Sequence, residues 1–208
     1  MKINKLKIIN CELKNIEDAY LENEFYNCHF KENSRRNLEI SNTTFDSCIF
    51  ENIDFSNINI TNVDFLDVIF DNCDLSNIKF DEQLLTRVIF KNCKMLGVSF
   101  IDSSLRDIEF INSILKYSNF TNTKLTNTFF LESDLTDSNI DSVKIKNIEF
   151  DKVDFTSCSI INTCLKGVDF STSNITGIRF DLYSVKEIIV NRFDCEHLVG
   201  LLGVSTKD

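Results

Sequence analysis

A five-residue repeat constrains the fold of this chain more than any other feature. From position 40 to 180 every fifth residue is Phe, Leu, Ile or Met, without exception over 29 positions. The register reaches back to Phe25 and Phe30, with Arg35 as its one break. Seventeen of the 19 phenylalanines lie on it, so the repeat places nearly all of the aromatic residues. We call these positions the central residues of the repeat.

Neither a helix nor a straight strand can accommodate this spacing. A helix turns about 100° per residue, so a five-residue step spreads the central residues around its circumference. In a strand an odd step sends them to opposite faces. A short extended piece followed by a corner does fit, because residues two apart then point inward together. The residue two before the centre is small, β-branched or Cys, and the residue two after is most often Asn, which tolerates unusual backbone angles at a corner.

A second period, of 20 residues, relates the repeats to one another. Four pentapeptides then make one coil with four sides, and eight coils fit between residues 21 and 180. At about 4.8 Å between strands, the stack is roughly 38 Å tall. The period is clearest in one unbroken column, which defines what we call the Phe30 face: Phe30, Phe50, Phe70, Phe90, Phe110, Phe130, Phe150 and Phe170.

This pattern resembles that of the pentapeptide-repeat family over nearly the whole chain. The resemblance implies an all-β fold, a right-handed quadrilateral parallel β-helix. We therefore expect an irregular N-terminal turn over residues 1–20, the β-helix over residues 21–180, and a C-terminal cap and dimerisation segment over residues 181–208. A solenoid needs such caps because its end coils expose main-chain groups and core.

The repeat ends after Phe180, and a short α-helix is predicted to follow. Asn191 is the predicted N-cap, and Gly203 stands at the C-terminal end. The apolar stripe of this helix either forms a lid on the last coil or pairs two chains as a homodimer, as in several family members, and one helix can do both. The stripe comprises Cys195, Leu198, Val199 and Leu202.

The cysteines and histidines predict core packing and no reactive site. Four of the eight cysteines fall at the inward small-residue position in pairs 20 residues apart, namely Cys28 with Cys48 and Cys73 with Cys93. They are expected to be free core residues, although stacked thiols could also form disulfides or bind metal. His29 and His197 are the only histidines, and no nucleophile–base pair or phosphate loop is recognisable. We expect no enzyme activity, no cofactor and no metal.

Charge narrows the choice of partners. The net charge of −10 disfavours direct nucleic-acid binding, which needs a basic surface. It suits a protein that binds basic surfaces which otherwise hold DNA. Residues 1–18 do not resemble a signal peptide, and no apolar run approaches membrane length, so a cytoplasmic protein without membrane contact is expected.

The Phe30 face is the candidate partner face. Counted over residues 21–180, it carries a net charge of −5, the Ile40 face −4, the Phe25 face +1 and the fourth face −1. The Phe30 face also directs a column of apolar residues outward, which indicates either a partner site or cover by neighbouring side chains or the N-terminal segment. Its candidate binding residues are Ile49, Glu51, Ile69, Asp71, Ile89, Glu109, Ile111, Phe129, Leu131, Glu132, Glu149 and Asp151.

Within the family, the chain resembles the Qnr-type quinolone-resistance proteins in length, acidity, coil count and the apolar tail at residues 201–204. It departs from many of them because no loop interrupts the register between residues 40 and 180. The resemblance implies a dimeric DNA mimic that binds DNA gyrase and topoisomerase IV and modulates quinolone sensitivity. The alternative is a rod-like scaffold or interaction module with an unrelated protein partner.

Overall fold

Backbone angles show a corner at every fifth residue over most of the solenoid. The computed structural model describes residues 3–20, 22–31, 38–56 and 58–200, except for the side chains of residues 19, 20 and 197. From Asn42 to Asn162, each described residue two positions after a central residue has a φ between 48° and 65°. Asn dominates this position, as predicted, because its short polar side chain tolerates left-handed backbone. At Gly97 a Cβ would lie 2.8 Å from Asn77 Oδ1, so this corner requires a residue without a side chain.

Between corners the chain forms short parallel strands, with one α-helix at the C-terminal end. Two 3-10 helices span Ile16–Tyr20 and Arg192–Asp194, and the helix α1 spans Cys195–Gly200. The strands are β1 (Glu12–Lys14), β2 (Glu24–Tyr26), β3 (Cys28–Lys31), β4 (Leu38–Asp46), β5 (Ile49–Glu51), β6 (Ile58–Asp71), β7 (Leu84–Lys91), β8 (Ser104–Ile111), β9 (Lys124–Leu131), β10 (Asn139–Asp141), β11 (Lys144–Asp151), β12 (Ser159–Ile161) and β13 (Arg179–Phe180).

Strand register confirms the 20-residue coil. From β2 onward every paired strand joins residues 20 apart, so that Phe70 lies beside Phe90 and Phe90 beside Phe110. The chain is therefore a parallel β-solenoid of about eight turns with four sides. Only β1 departs from this offset, because Glu12 pairs with Cys28.

The central residues fill the interior. All of them from position 40 to 180 are buried, except Ile145, which is partly exposed. Rings of the Phe30 column stack face to face, with centroids 5.1 Å apart for Phe90 and Phe110 and 4.6 Å apart for Phe110 and Phe130. In the next pair, the ring planes of Phe130 and Phe150 are inclined by 41° to each other. An apolar void of about 10 Å³ remains there, beside Ile145. The void barely reaches the size of one water molecule and is apolar, so it stays dry.

The inward residue two before the centre is often polar, and the structure shows why. Its hydroxyl or thiol donates to the main-chain oxygen of a central residue in the preceding coil, as Ser113 Oγ does to Phe90 O at 3.2 Å and Cys93 Sγ to Phe70 O at 3.4 Å. Small donors therefore suit this buried position better than larger apolar side chains. Cysteine fills it as a free thiol, as predicted, because Cys28, Cys48, Cys73 and Cys93 are unpaired and buried.

Thiol reactivity should follow this burial. Burial raises the pKa of the Cys48 thiol to about 12, and likewise that of Cys158, so little thiolate is present at neutral pH. In the native protein we expect Ellman's reagent to label the exposed Cys164 rapidly and the half-buried Cys11 more slowly. Cys195 is exposed in the single chain and should label rapidly only where no second chain covers it. The five buried cysteines should react only on unfolding. Rapid labelling of four or more thiols would contradict this packing.

The N-terminal segment is predicted as an irregular first turn. In the structure β1 pairs with β3 of the first coil, and the 3-10 helix that begins at Ile16 follows β1. Residues 4–11, however, run along one corner of the stack. Asn4 Nδ2 donates to Asp107 Oδ2 at 2.9 Å, and the Lys7 main-chain N–H donates to Asp67 Oδ1 at 3.2 Å. These contacts lie two coils apart, so this N-terminal segment braces the side of the solenoid.

Candidate partner-binding face

Seven strands carry the central phenylalanines of the Phe30 face, namely β3, β5, β6, β7, β8, β9 and β11, and β1 pairs with β3 at its N-terminal edge. Because the central phenylalanines point inward, the residues immediately before and after them point outward. Register then sets their neighbours: Ile111 lies beside Leu131, and Phe129 lies between Glu109 and Glu149 on adjacent strands. The face is thus a regular lattice of outward side chains.

The C-terminal half of this face combines apolar and acidic side chains. Three apolar residues on β8 and β9 adjoin one another, and carboxylates on β8 and β11 flank them. The apolar members are only partly buried. We call this set the apolar–acidic patch, and it comprises Glu109, Ile111, Phe129, Leu131, Glu149 and Asp151.

Glu109 is the most perturbed acid of the patch. It lies between Ile89 and Phe129 in the strand register. Burial among these neighbours raises the pKa of its carboxyl group. The patch therefore holds a carboxylate that water solvates incompletely, which favours a partner able to supply a positive charge or a hydrogen-bond donor.

Stability should depend on pH through Glu109. A folded-state pKa above the unfolded one means that the folded chain binds the proton more tightly, so stability falls as pH rises through the raised pKa. Glu109→Gln should therefore stabilise the protein at pH 7 and change its stability little near pH 3.5, below the ordinary glutamate pKa. Urea unfolding at the two pH values measures this, with the same change at the exposed Glu39 as the control. A stabilisation by Glu109→Gln that is equal at both pH values would contradict it.

The N-terminal half of the face differs in charge. Glu51 accepts from Lys31 Nζ at 3.0 Å and contacts His29 Nε2 at 2.8 Å. The hydrogen bond from Lys31, together with that from His29, lowers the pKa of Glu51 despite some burial. Asp71 pairs with Lys91 at 3.1 Å. Much of the predicted negative charge is therefore neutralised locally in this half.

The N-terminal segment borders both halves of the face. The N-terminal segment bonds to Asp67 and Asp107, which stand two residues before Ile69 and Glu109. The column Ile49, Ile69 and Ile89 is half-buried beside it. In the C-terminal half, Glu132 is paired with Lys152 at 2.9 Å. The structure thus separates eleven of the twelve predicted residues into an N-terminal half, in which Glu51 and Asp71 are paired, and the apolar–acidic patch, with the paired Glu132 outside both.

The C-terminal end carries a second exposed surface. Asn191 Oδ1 caps the 3-10 helix by accepting from the N–H groups of Phe193 and Asp194, as predicted for the cap. Leu198 packs against the core, whereas Cys195 is exposed. Of the predicted stripe, Leu202 lies outside the described residues.

Sequence reasoning overlooked Phe193, which is 91% exposed and lies near the exposed Ile189 in the chain. A signal was available, because Phe129 and Phe193 are the two phenylalanines off the five-residue register. Every phenylalanine on the register is buried. Off-register aromatic residues therefore mark the surface of this solenoid.

Within the described part of the chain, no cluster of three His, Cys, Asp or Glu side chains has the arrangement of a metal site. The described residues also contain no helix that is long and apolar enough to cross a membrane.

Comparison with known proteins places the repeat in a family. A family model described as a pentapeptide repeat region matches residues 63–140, and one described as pentapeptide repeats matches residues 39–77 and 133–177. Together they cover more than half of the chain. A search of curated protein sequences gives no match.

Solved structures of the same kind are similar to this chain. Full-length QnrB1, a plasmid-mediated fluoroquinolone resistance protein, is 18% identical with a TM-score of 0.41, covering 87% of this chain and 90% of QnrB1. Rfr23 from the cyanobacterium Cyanothece 51142 is 15% identical with a TM-score of 0.42, covering 59% of this chain and 91% of Rfr23. HetL from Nostoc sp. strain PCC 7120 is 13% identical with a TM-score of 0.36, covering 80% and 86%. These similarities concern the fold alone.

Proposed function

Because the chain belongs to the pentapeptide-repeat family, we propose that it is a non-catalytic interaction module that presents its Phe30 face to a protein partner. The apolar–acidic patch carries the proposal. Ile111, Phe129 and Leu131 supply apolar area of the kind that forms the centre of protein interfaces, and carboxylates surround it. Such an arrangement suits a partner surface with an apolar contact point and basic residues around it.

The proposed partner is a protein that otherwise holds DNA, and in the first place a type II topoisomerase in the cytoplasm. The chain has a net charge of −10, and its Phe30 face carries −5. Carboxylates along stacked strands present a line of negative charge, which a DNA-binding groove would attract and orient. The resistance function named for QnrB1 makes fluoroquinolone sensitivity the natural readout.

A gyrase supercoiling assay tests this proposal. Purified chain is added to DNA gyrase with relaxed plasmid, with and without a fluoroquinolone. We expect it to change supercoiling in a dose-dependent manner and to alter the drug concentration that gives half inhibition. Unchanged supercoiling and drug response at tens of micromolar would reject the topoisomerase.

The patch also supports a second candidate, a scaffold for an unrelated protein partner. The side chains of Ile111, Phe129 and Leu131 adjoin one another, and the phosphate backbone of DNA has no apolar group that corresponds to them. With an unrelated partner, contact with these apolar side chains would dominate binding. The salt dependence of binding separates the two. Mimicry predicts that binding weakens steeply as salt rises, whereas an apolar interface predicts little change.

We also propose that two chains pair through the C-terminal end as a homodimer, with Phe193 joining the stripe that contains Cys195, Leu198, Val199 and Leu202. An aromatic ring that is 91% exposed is a suitable anchor for a twofold interface. Light scattering should give a dimer for the wild type and a folded monomer for Phe193→Asp. Tyr117→Asp, at a side chain 62% exposed on another part of the solenoid, should remain dimeric. A monomeric wild type at tens of micromolar would reject the homodimer.

A further inference from the structure

Among the described residues, the parallel strand ladder is interrupted on the Ile40 face, and again between β11 and residues 164–169 on the Phe25 and Phe30 faces. On the Ile40 face, Glu39 pairs with Asn59 and Lys79 pairs with Ser99, each 20 residues apart. Among the described residues, no such bridge joins Asn59 to Lys79. The coils on either side of this interruption are otherwise regular, because Asp54 bridges Asp74 on the fourth face.

The next coil shows which main-chain groups are left without their ladder partners. There Phe80 N–H donates to Ser99 O at 2.8 Å, and Ser99 N–H donates to Ile78 O at 3.0 Å. The equivalent bonds one coil earlier would join Ile60 N–H to Lys79 O and Lys79 N–H to Ile58 O. Neither bond forms between these described residues. Each edge of the interruption therefore presents one main-chain donor and one acceptor. These are Ile60 N–H and Ile58 O on one edge, and the N–H and O of Lys79 on the other.

Apolar side chains occupy the inward position beside this interruption. The inward position before the centre holds Ile58 in one coil and Ile78 in the next, and both are buried. Further along the same column this position holds Val98 and then serine. These two isoleucines therefore give the interruption an apolar floor.

The opening is a cleft of about 600 Å³, within the range of small-ligand sites. Its floor includes the buried Ile58, Ile60 and Ile78, and its rim includes Lys79 and Lys94. Lys94 is paired with Asp74 at 2.8 Å. Lys79 is exposed and takes part in no ion pair with another described residue. The lining thus carries one uncompensated positive charge above an apolar floor.

We propose that this cleft binds an extended peptide segment of a partner protein by strand addition. The main chain of the peptide forms hydrogen bonds with the main-chain groups at Ile60 and Lys79. One apolar side chain of the peptide contacts the apolar floor of the cleft, and one acidic side chain pairs with Lys79. Unpaired strand edges recruit extended peptides through main-chain hydrogen bonds, and pockets for alternate side chains give specificity. The site lies on the Ile40 face and is independent of the apolar–acidic patch.

Hydrogen exchange tests the open ladder in the full chain. The amides of Ile60 and Lys79 should exchange at least a hundredfold faster than those of Phe80 and Ser99, whose ladder bonds are intact. Equal protection of all four amides would show that the ladder is closed and would overturn the proposal.

Peptide binding tests the occupant. The probe is the labelled hexapeptide acetyl-Thr-Val-Glu-Val-Thr-Val-amide, measured by fluorescence anisotropy. We expect saturable binding that slows exchange at Ile60 and Lys79. Methylating alternate peptide nitrogens should weaken binding at least tenfold, because it removes the main-chain donors. Lys79→Glu should also weaken binding at least tenfold, whereas Lys124→Glu, at an exposed residue in the closed ladder of the Phe25 face, should change it less than threefold. No binding at millimolar peptide, or equal binding of the N-methylated peptide, would overturn strand addition.

Discussion

Replacing Phe130 with alanine is expected to lower the free energy of unfolding by about 3–5 kcal/mol, whereas the same change at Phe129 should lower it by less than about 1 kcal/mol. The two residues are neighbours in β9 but point to opposite sides of the strand. Phe130 is 2% exposed, and its ring lies 4.6 Å from that of Phe110 and 5.3 Å from that of Phe150. Its removal opens a cavity between coils, while Phe129 borders solvent.

Urea unfolding followed by circular dichroism measures both variants against the wild type. The pair is matched in side chain, strand and coil, so only the direction of the side chain differs. Equal losses for the two variants would show that the inward and outward columns have been assigned incorrectly.

Replacing Arg87 with methionine is the second large effect, and it is expected to lower the free energy of unfolding by about 3 kcal/mol. Arg87 donates to both oxygens of Asp67, at 2.7 Å from Nε and 2.7 Å from the second guanidinium nitrogen. The Asp67 side chain is 3% exposed. Removing the arginine leaves a buried carboxylate without its counter-charge, which destabilises far more than the intact pair stabilises.

The matched control is Lys94→Met, which leaves Asp74 unpaired near the surface. The Lys94 side chain is 52% exposed and that of Asp74 29% exposed, so a loss below about 1 kcal/mol is expected. A double variant, Arg87→Met with Asp67→Asn, should recover much of the lost stability, because asparagine removes the buried charge and tolerates the φ of 54° at this corner. A loss below 1 kcal/mol for Arg87→Met alone would show that water or the N-terminal segment already compensates Asp67.

Repetition made most of this fold predictable from sequence. A corner, a central residue and a small inward residue recur in each pentapeptide. Because the pattern is repeated many times, a misleading residue at one position does not change the prediction. The 20-residue column of phenylalanines then fixed the number of sides. The inward cysteines followed from their position alone.

The aperiodic parts could not be obtained in this way. The path of the N-terminal segment depends on Asn4 reaching Asp107, 103 residues away, and no spacing in the sequence indicates that contact. The opened ladder between Asn59 and Lys79 has no counterpart in the repeat pattern, because the central residues Ile60 and Phe80 obey the register on both sides of it. The candidate face was located in sequence, but its division into two halves depends on ion pairs such as that of Glu51 with Lys31.

Binding to DNA gyrase tests the proposed function most directly, with the partner face altered by substitution. Ile111→Lys with Leu131→Lys places two charges in the apolar–acidic patch. Leu84→Lys with Ile114→Lys makes the same change in charge at exposed apolar residues on the Phe25 and fourth faces. Surface plasmon resonance with immobilised gyrase should show that the patch variant binds at least tenfold more weakly than the wild type, with the control within threefold. No binding of the wild type at tens of micromolar, or equal losses for the two variants, would contradict the proposal that this face binds the enzyme.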